Sequence, residues 1–385
     1  MKSFQGSAHN ISEPLLGRVA RKHLLFDGDH TVVIQKFRWG LGHKALLTTN
    51  NDLPKQYVKM PCVYGVSQES LSELHDGDVI KVYPDGNIVR LWEYGSDQNV
   101  IFVTDKCNCH CIMCPQPCDS CSTSSFLHEN EEILNIISPE TNSICFSGGE
   151  PTLEPKQLES LLAICKRRFP NACISILTNG IALSNFNNIK RIVEQGNKLL
   201  FCVSLHGDVN DVHDKIMGVE GAFAQTMRGL YNLARFKCWI ELRFVIMRQN
   251  YERLPYYAEF IYRNLTFVSH VAFMGLEYTG EAARNIENIE IDPVEYSTLL
   301  RKAILCLHRR GMNVSIYNIP RCLLSRDIWR FSRDSISTWK KTFLDICDSC
   351  EEKVNCCGLF KTSVYISPHI SPITSSKIDN NRMPN

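Results

Sequence analysis

The sequence carries almost no net charge. Its 42 Lys+Arg offset 41 Asp+Glu, leaving +1. A dedicated nucleic-acid binder needs a clustered basic surplus to neutralise phosphates, so no nucleic-acid partner is expected. The sequence also lacks any run of about 18 apolar residues, the length a membrane-spanning helix requires, so no membrane partner is expected. The start, Met1-Lys2-Ser3-Phe4-Gln5-Gly6, leads into polar residues and shows no apolar signal core. Without export the thiols stay reduced, and the chain reads as cytoplasmic. There is no internal repeat beyond an alternation of strands and helices.

What the chain does have is cysteine: 18 in 385 residues, beside an ordinary 44% hydrophobic fraction. That is roughly 5%, below the ~8–10% of small disulfide scaffolds. Clustered thiols in a reducing compartment read first as metal ligands or catalytic groups.

Four regions follow from the pattern: 1–95, 96–315, 316–362 and 363–385. The first is a β-rich module, with Val32–Phe37 as a strand and residues 78–92 as a hairpin turning at Pro84-Asp85-Gly86-Asn87. In the second, short apolar runs alternate with segments of helical period. The runs are Val100–Val103, Ile144–Phe146, Cys173–Leu177, Leu199–Leu205, Ile240–Ile246 and Val268–Met274. The helix candidates between and after them are Pro155–Phe169, Asn185–Gln195, Gly221–Phe236, Leu254–Asn264 and Pro293–Arg310. About six βα units predict an α/β fold, a partial (β/α)6 barrel with chemistry at the C-terminal strand ends. The third region is a cysteine-rich extension. The fourth, rich in Ser, Pro, Asn and Ile, reads as a disordered tail.

Residues 104–117 hold Cys107, Cys111 and Cys114 as C-x3-C-x2-C, directly after the first barrel strand. Three thiolates on one loop can bind three irons of a [4Fe–4S] cluster and leave the fourth iron open. Cys114, Cys118 and Cys121 form an overlapping motif of the same spacing. The first register is preferred, because it follows the strand at once and places apolar Met113, rather than Ser120, before its last cysteine. Zinc held by His110 and these thiols, and thiols with no metal role, are the alternatives.

Ser147-Gly148-Gly149-Glu150-Pro151-Thr152 follows the second run. Paired glycines allow close backbone approach to a ligand, and Glu150 offers an acceptor for an ammonium; the plainer alternative is a tight turn with a solvated Glu. Asn179 ends the third run and Ser204 the fourth, where turn chemistry alone would also place them. Arg243, Glu277 and His206 occupy further strand ends or turns and could face the barrel.

The extension contains Cys347, Cys350 and Cys356 as C-x2-C-x5-C, with Cys322 upstream. Four thiols suit a fully ligated auxiliary [4Fe–4S] cluster or a zinc site. Cys357 could stand in for Cys356.

The cysteine loop on a β/α scaffold, with Gly148-Gly149-Glu150 at the second strand end, resembles the radical S-adenosylmethionine (SAM) enzymes. The resemblance implies that SAM chelates the open iron and is cleaved by one-electron reduction to a 5′-deoxyadenosyl radical. It implies that Gly148, Gly149 and Glu150 meet the SAM amino group and that Asn179 and Ser204 contact its ribose or carboxylate; Arg243, facing the barrel, could pair with that carboxylate. The extension is similar to the auxiliary-cluster extensions of peptide-modifying members, but has Phe360 where the longer form has a further cysteine. Phe102-Val103-Thr104, Cys111-Ile112-Met113-Cys114-Pro115-Gln116-Pro117, Met274-Gly275-Leu276-Glu277, Asp327-Ile328-Trp329-Arg330-Phe331 and Cys357-Gly358-Leu359-Phe360 together resemble the bacterial His-Xaa-Ser system radical SAM maturase of the C type, over about residues 75–370. That family implies a small His-Xaa-Ser repeat protein as the substrate for post-translational modification, a second radical SAM maturase as partner, and an electron donor. A small-molecule or RNA substrate, an iron–sulfur electron carrier and a zinc-stabilised scaffold are the competing functions.

Overall fold

A computed structural model describes residues 2–21, 31–34, 43–51, 60–116, 125–195 and 198–374. The N-terminal module is an eight-stranded sheet. The hairpin read from the sequence is present as Val79–Val82 and Asn87–Trp92, paired antiparallel. The strand read at Val32–Phe37 appears as Thr31–Ile34, and its remainder lies outside the described residues. Strands Lys2–Gln5 and Ser7–His9 occupy opposite edges of this sheet yet are joined through Gly6 alone. The sheet therefore curls until its edges meet, and it encloses its own apolar core of Val19, Val32, Leu47, Val63, Ile80 and Ile88.

The second region is a seven-stranded, all-parallel sheet. Its strands run in chain order: Val100–Thr104, Ser143–Gly148, Cys173–Thr178, Leu199–Ser204, Trp239–Val245, His270–Met274 and Val314–Tyr317. The six runs read from the sequence are the first six. The seventh is short and carries Ser315 in its middle, which hid it. The first and seventh strands stand at the two edges and do not pair, so this is an open, partial barrel.

Helices Pro155–Arg168, Phe186–Gln195, Ala222–Arg235, Leu254–Asn264 and Pro293–Arg309 cover the outer face. The last starts with a capping box: Asp292 accepts from Val294 N, and Glu295 reaches back to the Asp292 amide. Phe201, Phe244, Phe273 and Tyr257 are fully buried between sheet and helices, with the Phe244 and Tyr257 ring centroids 4.3 Å apart. Leu16, Val79 and Trp92 of the N-terminal module join the same core. No helix among the described residues is long and apolar enough to cross a membrane.

The extension carries a two-residue antiparallel pair, Lys341–Thr342 with Leu359–Phe360. Residues 363–374, expected to begin a disordered tail, instead lie bound to the barrel. Val364 N donates to the Tyr278 carbonyl at 3.0 Å, and Tyr365 Oη donates to Asp292 Oδ2 at 2.9 Å. The Ser- and Pro-rich composition concealed these few anchors. Residues 375–385 lie outside the described residues.

Candidate active site

The C-terminal strand ends open onto a cavity of about 320 Å³. Cys107, Cys111 and Cys114 line it, as do Gly148, Gly149, Glu150, Asn179, Ser204 and Arg243. His206 and Glu277 line it as well. Nine residues singled out from the sequence, three cysteines and six at the strand ends, thus line one cavity.

The cysteine loop is pinned from two sides. His110 N donates to Met217 O at 3.0 Å and Ile112 N to Ile216 O at 3.1 Å. Opposite, Glu281 N donates to Cys114 O at 2.8 Å and Asn285 Nδ2 to Ile112 O at 2.9 Å. Met113, the residue before Cys114, is buried with Ile216, Met247 and Tyr278. Cys109 packs between its neighbours, hydrogen-bonded to Cys107 and Cys111, and those bonds together with burial push its thiol far up. Cys118 and Cys121 of the alternative register lie outside the described residues.

The paired glycines also allow a close approach within the chain itself. A Cβ on Gly148 would meet Thr104 O at 2.3 Å, and one on Gly149 would meet Lys106 O at 2.1 Å. Gly149 N donates to Thr104 O at 2.6 Å and Glu150 N to Lys106 O at 2.7 Å. The close approach is thus to the backbone leading into the cysteine loop.

Glu150 is 1% exposed. Its Oε1 accepts from Thr152 N at 3.0 Å, Thr152 Oγ1 at 2.5 Å and Thr178 Oγ1 at 2.7 Å, and its Oε2 accepts from Asn179 N at 2.6 Å. Burial pushes its pKa up, and these donors oppose the shift. The solvated-turn alternative is excluded: the carboxylate clamps the second strand end to the third. Asn179 continues the chain of contacts, donating to Asn108 Oδ1 at 2.8 Å and Cys109 Sγ at 3.2 Å while its Oδ1 accepts from Ile181 N at 2.9 Å.

Arg243 enters the cavity wall with its Nε 2.7 Å from Glu241 Oε1. Glu241 also meets His270 Nδ1 at 2.7 Å and receives Tyr317 Oη at 3.4 Å. Burial alone would raise the Glu241 pKa, but His270 and Arg243 hold it down at about 2. Arg243 faces the opposite balance: burial works against its charge, and Cys202 and Glu241 outweigh it. Sequence reasoning missed Glu241, His270 and Tyr317; three adjacent strands bring them together, and only their inward register could have signalled it. His206 accepts from Val245 N through Nδ1 at 3.3 Å, and burial lowers its pKa to about 3, so its ring is neutral. Glu277 is engaged rather than open. Lys340 Nζ lies 2.9 and 3.0 Å from its two oxygens, and Thr362 Oγ1 donates at 2.6 Å.

The second cysteine group also converges. Cys322, Cys347, Cys350 and Cys356 line a separate cavity of about 20 Å³. Cys357 is fully buried and directs its thiol to the Gly358 carbonyl, so Cys356 is the cavity-lining thiol of the two. Bonds from Cys357 lower the Cys356 pKa to about 6 against the effect of burial, with the Gly358 and Arg321 amides adding to the shift. A lowered thiol pKa favours the thiolate, the ligand form. None of the described cysteines is in a disulfide, and no three His, Cys, Asp or Glu side chains among the described residues converge as ligands of a single ion do. Three thiols on one loop around one cavity instead suit a cluster in which each thiolate has its own iron.

Residues 101–261 match the family model of the Radical SAM superfamily. The chain is 26% identical over 265 residues to the Fe-coproporphyrin III synthase of Methanosarcina barkeri, covering 66% of this chain and 64% of that protein. It is 25% identical over 161 residues to the antilisterial bacteriocin subtilosin biosynthesis protein AlbA of Bacillus subtilis, covering 38% and 33%. The chain thus spans about one third to two thirds of the length of these curated relatives. Among solved structures, Streptococcus suis SuiB bound to S-adenosylmethionine aligns with a TM-score of 0.44 at 17% identity, over 56% of this chain and 49% of that one. The match to the Radical SAM superfamily model covers the first five strands of the parallel sheet.

Proposed function

We propose that the chain is a radical SAM enzyme that modifies a peptide after translation. The observation that carries the activity is the single cavity lined by Cys107, Cys111, Cys114, Gly148–Glu150, Asn179, Ser204 and Arg243. A [4Fe–4S] cluster on the three thiolates together with SAM supplies, when bound, a one-electron cleavage that yields a hydrogen-abstracting 5′-deoxyadenosyl radical. The chain's own residues hold the pieces. Glu150 and Asn179 fix the cysteine loop against the strand ends before any ligand arrives, and Glu150 Oε2 with the neighbouring backbone is the acceptor side for the SAM ammonium. Arg243, kept charged by Glu241, and Ser204 face the SAM carboxylate and ribose. Met113 and Met217 exclude water beside the loop.

Two features support a peptide substrate. A groove of about 520 Å³, lined by Trp92, Phe102, Phe126 and Trp339, runs between the N-terminal module, the first strand and the extension, and it shares Pro115 and Ser147 with the cavity. An extended chain laid there would reach the strand ends. The relative AlbA is named for bacteriocin biosynthesis. The finer reading is a His-Xaa-Ser repeat protein, matured with a second radical SAM maturase and an electron donor, and the four-thiol site holds an auxiliary [4Fe–4S] cluster. The Fe-coproporphyrin III synthase similarity favours a second reading, a tetrapyrrole substrate.

The test is anaerobic reconstitution with reductant and SAM. The wild type forms 5′-deoxyadenosine, and the Cys107→Ala/Cys111→Ala/Cys114→Ala variant does not. Stoichiometric zinc without iron would sink the proposal. Mass spectrometry of the repeat protein co-expressed with this chain and the partner maturase decides the substrate: a mass change that needs this chain supports the peptide, and turnover of a porphyrin alone replaces it.

A further inference from the structure

The wall of the four-thiol cavity is completed from beyond the last cysteine. Ile370, Ser371 and Ile373 line it together with the four thiols. Ile373 N donates to Cys350 Sγ at 3.3 Å, and the Ser371 amide donates to Cys322. The Ile373 carbonyl accepts from Glu351 N at 2.9 Å, which ties this segment to the residue after Cys350. Upstream the same segment is held on the barrel through Val364, Tyr365 and Ile370, the last packing against the main core. Its first neighbour, Thr362, bonds Glu277 at the rim of the large cavity.

We propose that residues 363–374 are a strap that closes the four-thiol site, with the Ser371 and Ile373 amides as hydrogen-bond donors to the sulfurs of Cys322 and Cys350. The proposal rests on the auxiliary-cluster reading and adds to it residues outside the cysteine motif. Amide donors to ligand sulfurs withdraw electron density from the metal site and raise its reduction potential. Ile370 and Ile373 keep water from the same face, which slows ligand exchange. No bond is made or broken by the strap; it sets the surroundings in which the site's metal is held.

The experiment uses full-length protein carrying Cys107→Ala, Cys111→Ala and Cys114→Ala, so that only the four-thiol site can bind iron. Into it go Ile373→Pro, which deletes the amide donor to Cys350, Ile373→Val, which keeps it, and a stop after Ile370, which removes both donors. Iron loss to a chelator should speed up about fivefold in Ile373→Pro, the equivalent of about one hydrogen bond. It should speed up further in the truncated chain and stay unchanged in Ile373→Val. The midpoint potential read by EPR should move negative in Ile373→Pro. Iron loss and potential equal to the background in both Ile373→Pro and the truncated chain would overturn the strap. A background protein that takes up no iron overturns the cluster reading instead. The strap is then decided by hydrogen exchange of residues 370–374 in the metal-free protein: slowed Ser371 and Ile373 amides support it, and amides exchanging at unprotected rates overturn it.

Discussion

Replacing Glu150 by Gln changes almost no volume and tests whether the carboxylate clamps the site. The four bonds it accepts fix what the amide would meet. If the Gln oxygen keeps the Oε1 place, it retains Thr152 N, Thr152 Oγ1 and Thr178 Oγ1, and the new NH2 faces the Asn179 amide, donor against donor. If it flips, the NH2 faces Thr152 N and two hydroxyls, which is worse because Thr152 N cannot turn away. The milder arrangement loses one charge-assisted bond, about 1.5–3 kcal/mol, and buries a mismatched donor, about 1 kcal/mol more, so about 3 kcal/mol in all. That corresponds to roughly a hundredfold lower population of the closed site. The assays are denaturant unfolding of the metal-free protein and 5′-deoxyadenosine formation by the reconstituted one. Both should fall, and Thr178→Val, which removes one donor and leaves the charge, should cost about a third as much. An unfolding midpoint and a 5′-deoxyadenosine rate in Glu150→Gln that match the wild type would refute the clamp.

Glu241 has a pKa held below its unfolded value of 4.5, at about 2. Its contribution is therefore present above about pH 4.5 and is lost as pH falls toward 2, about 3 kcal/mol in total. Acid unfolding of Glu241→Gln should lack this part of the slope; an unchanged slope would show that the network with Arg243 and His270 does not hold the charge. Lys340→Met leaves Glu277 without its partly buried partner and should cost about 1–2 kcal/mol, between the surface and buried limits. Product formation should drop more than SAM cleavage, and an equal drop in both would place the contact outside the substrate side. Trp339→Ala in the groove should weaken binding of the repeat protein about tenfold in a titration while uncoupled SAM cleavage stays at its wild-type rate; unaltered affinity would remove the groove from the binding surface.

The barrel was legible because parallel strands buried on both faces read as plain apolar runs, and because Leu254–Asn264 begins and ends where its period does. The site was legible for the same reason: with the strand ends placed, Gly148–Glu150, Asn179, Ser204 and Arg243 had to lie on one face. What stayed hidden depends on chain separation or register. Lys340 and Thr362 reach Glu277 from 63 and 85 residues away. His270 and Tyr317 meet Glu241 across 29 and 76. No local pattern marks such pairs. The paired glycines were seen, but the packing that also requires them was not, because the neighbour that forbids a Cβ is the Thr104–Lys106 backbone, 44 residues upstream in the case of Gly148 and Thr104.

The two-residue strand Leu359–Phe360 joins the two cysteine sites more directly than their separation in sequence suggests. Successive residues of a strand point to opposite faces. Leu359 lines the small four-thiol cavity, and Phe360 lines the large one at the barrel mouth. Its partner strand, Lys341–Thr342, follows Lys340, the residue that holds Glu277 at the rim. Cys356 stands three residues before Leu359, and Thr362 two residues after Phe360. Cys356, in the four-thiol cavity, thus stands just before a strand whose far side is a wall of the large cavity. The position where the longer auxiliary motif has a cysteine is here that wall: a sulfur ligand at 360 would face the barrel mouth, on the opposite side of the strand from the four thiols. Phe360 thus gives the barrel mouth an apolar wall.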